Sequence, residues 1–341
     1  MNFIVLGAGA IGCYVGGRLA LGGQNVTLVG RPRVIDALAV RGLTVTDLDG
    51  FNGHVAATAL RFAPSLREAA PDGDAVILLC VKGGATEAAA REITQAGRPG
   101  TAVVSLQNGV DNVARIQANA PQMQALAGMV PYNVVMRGDH HVHRASTGSL
   151  QVQSNPASKL FAPVFNAAGL PTDLSADMRS VQWGKLLLNL NNPVNALSDL
   201  PLQAQLQDRN YRRVLADLQS EALGVLARAG VIPAKVAAVA PRVLPHLLRL
   251  PNWLFTRLAA RMLRMDAQAR SSMWDDLQQG RTTEIDDLCG AVVRLAQTHG
   301  GSAPLNQRMC ELVAQNTTGQ PKTGQGMSGL QMQQALSVNW P

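Results

Sequence analysis

The chain has 341 residues, of which 47% are apolar, 16% charged and 4% aromatic, with a formal net charge of +7. That length exceeds what one compact core usually serves and predicts two domains, each able to bury a stable interior. The arginines are scattered and no basic tract is interleaved with aromatics. This sets nucleic acid aside and makes an anionic small molecule the more economical partner. Four cysteines, Cys13, Cys80, Cys289 and Cys310, lie far apart with no C-x-x-C pair and no histidines at zinc spacing, so no metal site is expected and a reducing cytoplasm fits. The N-terminus carries no basic leader, and the most apolar short run, Val76 to Val81, is far too brief to span a bilayer, so neither export nor a membrane is expected.

Taken in order, Asn2 to Leu6 is a short apolar run. Gly7-Ala8-Gly9-Ala10-Ile11-Gly12 follows, then a stretch to Leu21 with small residues at helical spacing, which predicts strand, turn, helix. Val26 to Val29 is the next strand. Ala75 to Val81, Ala102 to Leu106 and Gln124 to Val130 read as further buried strands, separated by helical segments at Ala85 to Ala96 and Asp111 to Ala118. This alternation predicts a mostly parallel sheet with helices on both faces. Leu43 to Ala57 reads as a hairpin or irregular crossing, and Val142 to Gln153 is expected to close the sheet.

Beyond about Ser158 the pattern turns helical, with amphipathic segments at Met178 to Asn192, Asp208 to Ala229, Val236 to Leu263, Ala267 to Leu277 and Thr283 to Thr298. Prolines 241, 245 and 251 argue against one long helix there. From Asn316 the chain is rich in Gln, Gly, Thr and Ser and reads as a loosely held tail. The expected organisation is therefore an α/β Rossmann domain over 1–170, an all-α domain over 171–315 and a tail over 316–341.

A G-x-G-x-x-G string gains weight when a strand precedes it and a helix follows, as here. Gly7 permits the tight turn, Gly9 lets backbone approach a pyrophosphate, and Gly12 allows close helix packing, with the helix N-terminus facing the negative charge. The string Gly7, Ala8, Gly9, Ala10, Ile11, Gly12 is thus the expected dinucleotide site. Proteins that prefer NAD usually end the second strand in an acid holding the ribose 2′-hydroxyl. This strand ends Val29-Gly30-Arg31-Pro32-Arg33 instead. A guanidinium can bond a 2′-phosphate that an acid would repel, so NADP(H) is the expected cofactor, with Arg31 the better candidate than Arg33. Ligands of such sheets bind outside the carboxyl ends of the strands. Lys82 and Asn108 each follow a predicted strand there, and Lys82 could contact either the cofactor or an anionic substrate.

In the helical half, Lys185, Asn189 and Asn192 fall at i, i+4 and i+7 among leucines, on one helix face. Asparagine is a mediocre helix former, so such a stripe costs stability unless it binds something, although helix-end chemistry before Pro193 is a bland alternative. A second polar stretch runs Ser271-Ser272-Met273-Trp274-Asp275-Asp276 and on to Thr283-Glu284-Ile285-Asp286. There Ser272 or Thr283 could cap a helix, and Glu284 could favour the next first turn. A carboxylate paired with Lys185 would instead orient its ammonium and hold it protonated.

These elements carry a resemblance. The glycine string, Val81-Lys82, Gln107-Asn108-Gly109, Lys185 with Asn189, and Ser271-Ser272-Met273 through Asp286 stand in family order from residue 7 to about 290. The chain resembles the ketopantoate reductase (2-dehydropantoate 2-reductase) family, within the 6-phosphogluconate dehydrogenase-like group. The resemblance implies NADPH-dependent reduction of 2-dehydropantoate to (R)-pantoate on the pantothenate route to coenzyme A, by a cytoplasmic enzyme and possible homodimer. It implies Lys185 as general acid, Glu284 as its supporting carboxylate, Asn108, Asn189, Asn192 and Ser272 as substrate contacts, Lys82 and Asn108 as cofactor contacts with Lys82 also near the substrate, and a cleft between the domains. Tighter spacing after Asn189 leaves Asn192 and Asn195 as alternatives. The segment Leu244 to Met265 is long and basic for the family, and Pro131-Tyr132-Asn133 is a variant of a site-lining segment. The rival readings are an NADPH-dependent reductase of another 2-keto acid and an NADP(H)-sensing protein without turnover.

Overall fold

Apolar runs become central strands where both faces of a sheet are covered, and β1 (Asn2–Leu6) is the first of these, with four of its five residues buried. The computed structural model describes residues 1–69, 75–259, 268–317 and 326–337, in two units, Met1–Met178 and Arg179–Pro341. In the first unit β1 is followed by α1 (Ala10–Leu21), β2 (Asn25–Val29), α2 (Pro32–Arg41), β3 (Leu43–Asp47), β4 (Asn52–Val55), β5 (Arg61–Ala63), α3 (Leu66–Ala69), β6 (Val76–Leu79) and α4 (Thr86–Ala96). Then come β7 (Ala102–Ser105), α5 (Asn112–Asn119), β8 (Gln124–Met129), β9 (Val134–Met136), β10 (His141–Arg144), β11 (Leu150–Gln153), α6 (Pro156–Ala167) and β12 (Thr172–Ser175).

Eight strands form one sheet in the order β12-β11-β8-β7-β6-β1-β2-β5. Every pair from β8 to β5 is parallel, and β11 joins β8 antiparallel. This is a Rossmann-type sheet. Ile77, Leu78 and Leu79 at its centre are fully buried, and truncating any of them to alanine would cost about 2–5 kcal/mol.

The run from Val142 to Gln153 does not act as one closing element. Its first part, β10, pairs with β3 and β9 in a separate sheet of order β4-β3-β10-β9, and only β11 joins the large sheet. A charge cluster explains the division. Asp47 on β3 accepts from Arg144 on β10 at 3.1 Å and from Arg18 on α1 at 3.4 Å, and Arg18 also donates to the Ala168 carbonyl at 3.0 Å. Leu43 to Ala57 does contain a hairpin, β3 with β4. Strand β12 lies beyond Ser158, where only helices were expected, and pairs parallel with β11.

The second unit holds α7 (Met178–Asn189), α8 (Asn191–Ser198), α9 (Leu202–Gln207), α10 (Arg209–Arg228), α11 (Leu244–Leu248), α12 (Asn252–Leu258), α13 (Ser272–Gln278), α14 (Ile285–Thr298), α15 (Pro304–Thr317) and α16 (Gly329–Ser337), with no strand among its described residues. Helix α10 is central. Tyr211, Val214, Leu215, Leu218, Ala222, Val225 and Leu226 bury one stripe at helical spacing, and Glu221 accepts the Leu305 and Asn306 amides at the start of α15 at 2.9 and 2.8 Å. The prolines do break the 236–263 segment: Pro245 sits in the first turn of α11, and Pro251 caps α12. Buried Arg212 secures both short helices to α10. Its five N–H groups donate to Leu206, Gln207, Leu248 and Leu250 carbonyls and to Asn252 Oδ1, at 2.8 to 3.0 Å.

The expected loose tail is in part a docked helix. Met332 of α16 is buried, the Met327 amide donates to Leu197 O at 2.8 Å, and Tyr211 Oη donates to Met327 O at 2.8 Å. Polar composition misled because one buried methionine and a few hydrogen bonds, among them Gln333 Nε2 to Asn210 O at 2.9 Å, suffice to seat so short a helix. Residues 318–325 and 338–341 of that segment lie outside the described residues, as do 260–267.

Candidate active site

In the first unit the glycine string turns the chain from β1 into α1. Gly7 has φ +113°, and a Cβ there would stand 2.7 Å from the backbone of Cys80 and Val81. At Gly12 a Cβ would lie 2.2 Å from Gly7 O, so only glycine lets α1 start this close to the turn. Around Gly9, the N-cap of α1, a Cβ would meet nothing within 4 Å. The result is an open helix N-terminus with no acidic residue in its first turn, an arrangement of amides and dipole suited to phosphate. Arg31 follows β2 as the exposed N-cap residue of α2. Arg33 is also exposed and faces Asp139 at 3.9 Å.

Lys82 and Asn108 lie past the carboxyl ends of β6 and β7, Lys82 exposed and Asn108 half-buried. Sequence reading missed what holds their loops. Buried Gln107 donates through Nε2 to Val81 O and Thr86 Oγ1, both at 2.8 Å. Thr86 donates to Asn112 Oδ1 at 3.1 Å, and Asn112 Nδ2 donates to Asn108 O at 2.7 Å. One chain of bonds thereby fixes both loops. Its only sequence signal was a glutamine directly after a buried strand.

In the second unit Lys185 lies in the last turns of α7, half-buried, and Asn189 at the end of that helix is buried. Burial pulls the Lys185 ammonium down to about 8 from the usual 10.5. The helix is pinned on two sides: Gln219 of α10 donates to Leu187 O at 2.9 Å, and the Ala234 amide donates to Ser180 O at 2.8 Å. The second contact depends on Gly184, where a Cβ would stand 2.2 Å from Ala234 O. Nothing in the pattern around Trp183 marked that glycine.

The predicted stripe is interrupted at Leu190, so Asn192 belongs to α8. Pro193 falls in the first turn of α8, where its missing N–H costs no bond. Between the two asparagines left open by sequence, the structure assigns different work. Asn195 is fully buried with both ends of its amide engaged, to Leu200 O and to the Ser271 N–H. Asn192 is half-buried, and its carbonyl accepts from Ser271 Oγ at 3.2 Å. Ser271 is also the cap of α13, which corrects the expectation that Ser272 or Thr283 caps a helix here; Ser272 is exposed in the first turn. Glu284 is half-buried at the N-cap of α14 and its side chain bonds no amide of that helix.

Residues 3–157 match the family described as ketopantoate reductase PanE/ApbA, and residues 177–317 match ketopantoate reductase PanE/ApbA C terminal. The chain belongs to the ketopantoate reductase family. It is 29% identical over 322 residues to a 2-dehydropantoate 2-reductase of Halobacterium salinarum, covering 92% of this chain and 98% of that one. A second relative of the same description, from Pyrococcus horikoshii, is 28% identical over 320 residues, with 92% and 96% covered. Among solved structures, a PanE/ApbA family ketopantoate reductase from Ralstonia eutropha JMP134 superposes with TM-score 0.79 at 29% identity, covering 93% and 99%. D-mandelate dehydrogenase, solved with NADH and anilino(oxo)acetate, shares the fold with TM-score 0.77 at 22% identity, covering 93% and 99%.

Ketopantoate reductases are pyridine-nucleotide-dependent oxidoreductases. The variant segment Pro131-Tyr132-Asn133 places Tyr132 in the core rather than at the surface, its ring edge-on to Tyr14 at 5.6 Å. Among the described residues no helix is long and apolar enough to cross a membrane, and no group of three or more His, Cys, Asp or Glu is placed to hold a metal ion.

Proposed function

We propose that the protein reduces 2-dehydropantoate to (R)-pantoate with NADPH, as a cytoplasmic step of pantothenate and coenzyme A synthesis. The observation that carries this reading is a single lysine, Lys185, held half-buried in a family member with its ammonium lowered to about 8. A proton donor works best when its pKa lies near the working pH.

The residues fit a dinucleotide: the turn Gly7 to Gly12 and the first amides of α1 suit the pyrophosphate, and Arg31, at a place where NAD-preferring proteins carry an acid, suits a 2′-phosphate. When bound, NADPH supplies the hydride that reduces the keto carbon. Negative charge then grows on the keto oxygen, and Lys185 gives it a proton. Glu284 supports the ammonium, Asn189, Asn192, Ser272 and Asn108 bond the polar groups of the substrate, and Lys82 meets its negative charge. Lys185→Ala should lower turnover by about two or more orders of magnitude, followed as loss of nicotinamide absorbance on adding ketopantoate, with NADPH binding retained. Turnover near wild type would sink the assignment.

One observation favours a second reading. D-mandelate dehydrogenase shares the fold over 93% of the chain, so another 2-keto acid is the alternative substrate. A panel of 2-keto acids ranked by kcat/KM decides between them.

A further inference from the structure

Asp199, which directly follows α8, is the one non-glycine residue with positive φ among those described, at +54°. Such a conformation is disfavoured for a residue with a side chain and persists where surrounding contacts over-determine it. Several of those contacts come from the segment that opens α13. Trp274 Nε1 donates to Asp199 Oδ1 at 2.7 Å. Arg270 Nη1 donates to Asp199 O at 2.7 Å and to Oδ1 at 3.3 Å, while its guanidinium lies 4.2 Å from the centre of the Trp274 ring. Beside them run the Asn195 bond to the Ser271 amide and the Leu202 amide bond to Ala269 O, each 2.8 Å.

Helix α13 has only seven residues, too few to hold itself together without outside help. Ser272 is exposed in its first turn and makes no side-chain hydrogen bond among the described residues. The position of its hydroxyl is therefore inherited from its neighbours, Ser271 and Trp274.

We propose that Asp199 is a positioning residue for keto-acid recognition: by gripping Trp274 and Arg270 it sets the first turn of α13 and so aims the Ser272 hydroxyl. This rests on the reading of Ser272 as a substrate contact. Asp199 itself touches no substrate, so its loss acts on KM for the keto acid and leaves KM for NADPH alone.

The test separates backbone from side chain. Asp199→Gly relieves the positive φ and removes the carboxylate; Asp199→Asn keeps an Oδ1 acceptor and a residue tolerant of that backbone. Expected are an approximately tenfold rise in keto-acid KM for Asp199→Gly, with kcat and NADPH KM within about twofold of wild type, and rescue to within about twofold by Asp199→Asn. Ser272→Ala should raise the same KM, and the double variant Asp199→Gly with Ser272→Ala should be no worse than the worse single one. An unchanged KM in Asp199→Gly, or equal loss of kcat and NADPH affinity, overturns the proposal. If Ser272→Ala alone leaves KM unchanged, the underlying reading of Ser272 fails along with it. If Ser272→Ala raises KM and Asp199→Gly does not, only the positioning role fails.

Discussion

Raising the pH through 8 should switch off keto-acid reduction by taking the proton from Lys185. With its ammonium at about 8 rather than 10.5, the protonated fraction is near complete at neutral pH and falls about tenfold for each pH unit beyond 8. kcat/KM for reduction should follow that fall, while oxidation of the alcohol, which needs the neutral amine, should rise over the same range. The same shift bears on stability. Because the folded value lies below the unfolded one, the unfolded chain binds more protons between pH 8 and 10.5, so the Lys185 contribution grows more favourable as pH rises through that window. The full excursion is worth about 3 kcal/mol. Urea unfolding of wild type and Lys185→Met at pH 7 and pH 10.5 measures it as a change in their stability difference, in favour of wild type at the higher pH. Reduction that persists unchanged to pH 10, or a stability difference that ignores pH, would refute the assigned burial and with it the general-acid role.

Three further substitutions follow from the geometry. Arg31→Ala should raise KM for NADPH about 10- to 100-fold through loss of a charge-assisted contact and leave KM for NADH nearly unchanged; equal effects on both would remove Arg31 from the 2′-phosphate. Gly184→Ala drives a Cβ to 2.2 Å from Ala234 O, so it should destabilise the fold by about 1–3 kcal/mol in chemical denaturation and depress kcat by shifting Lys185, and wild-type stability would show that the crossing is not tight. Tyr211→Phe removes only the hydroxyl that holds Met327 O; it should cost about 1 kcal/mol, and protease should then cleave near residue 326 faster than in wild type.

Much of this protein was legible along the chain because the signals are local. A strand buried on both faces must be apolar throughout, which is why β1, β6 and β7 stand out, and the glycines at 7 and 12 are required by contacts within a few residues of themselves or with the adjoining strand. The helix stripe of α10 repeats at its own period. Lys185 was conspicuous as a charge among leucines, a placement that costs free energy wherever the helix lies.

What the sequence could not settle depended on partners distant in the chain. The division of 142–153 between two sheets follows from Arg144 meeting Asp47, 97 residues away. Ser271 rather than Ser272 became the cap, and Asn195 rather than Asn192 the buried brace, because α8 and α13 pack together across some 76 residues of chain; side by side in sequence, the two serines and the nearby asparagines are chemically equivalent. The docking of 326–337 likewise needed Leu197 and Tyr211 as a seat. Residue type and period determined which groups could do the chemistry and which elements carry them, since both are properties of neighbours in the chain. Which of two equivalent side chains faces outward and which is consumed as scaffold was decided only by tertiary packing, because a hydrogen bond is spent on whichever partner the fold brings within 3 Å.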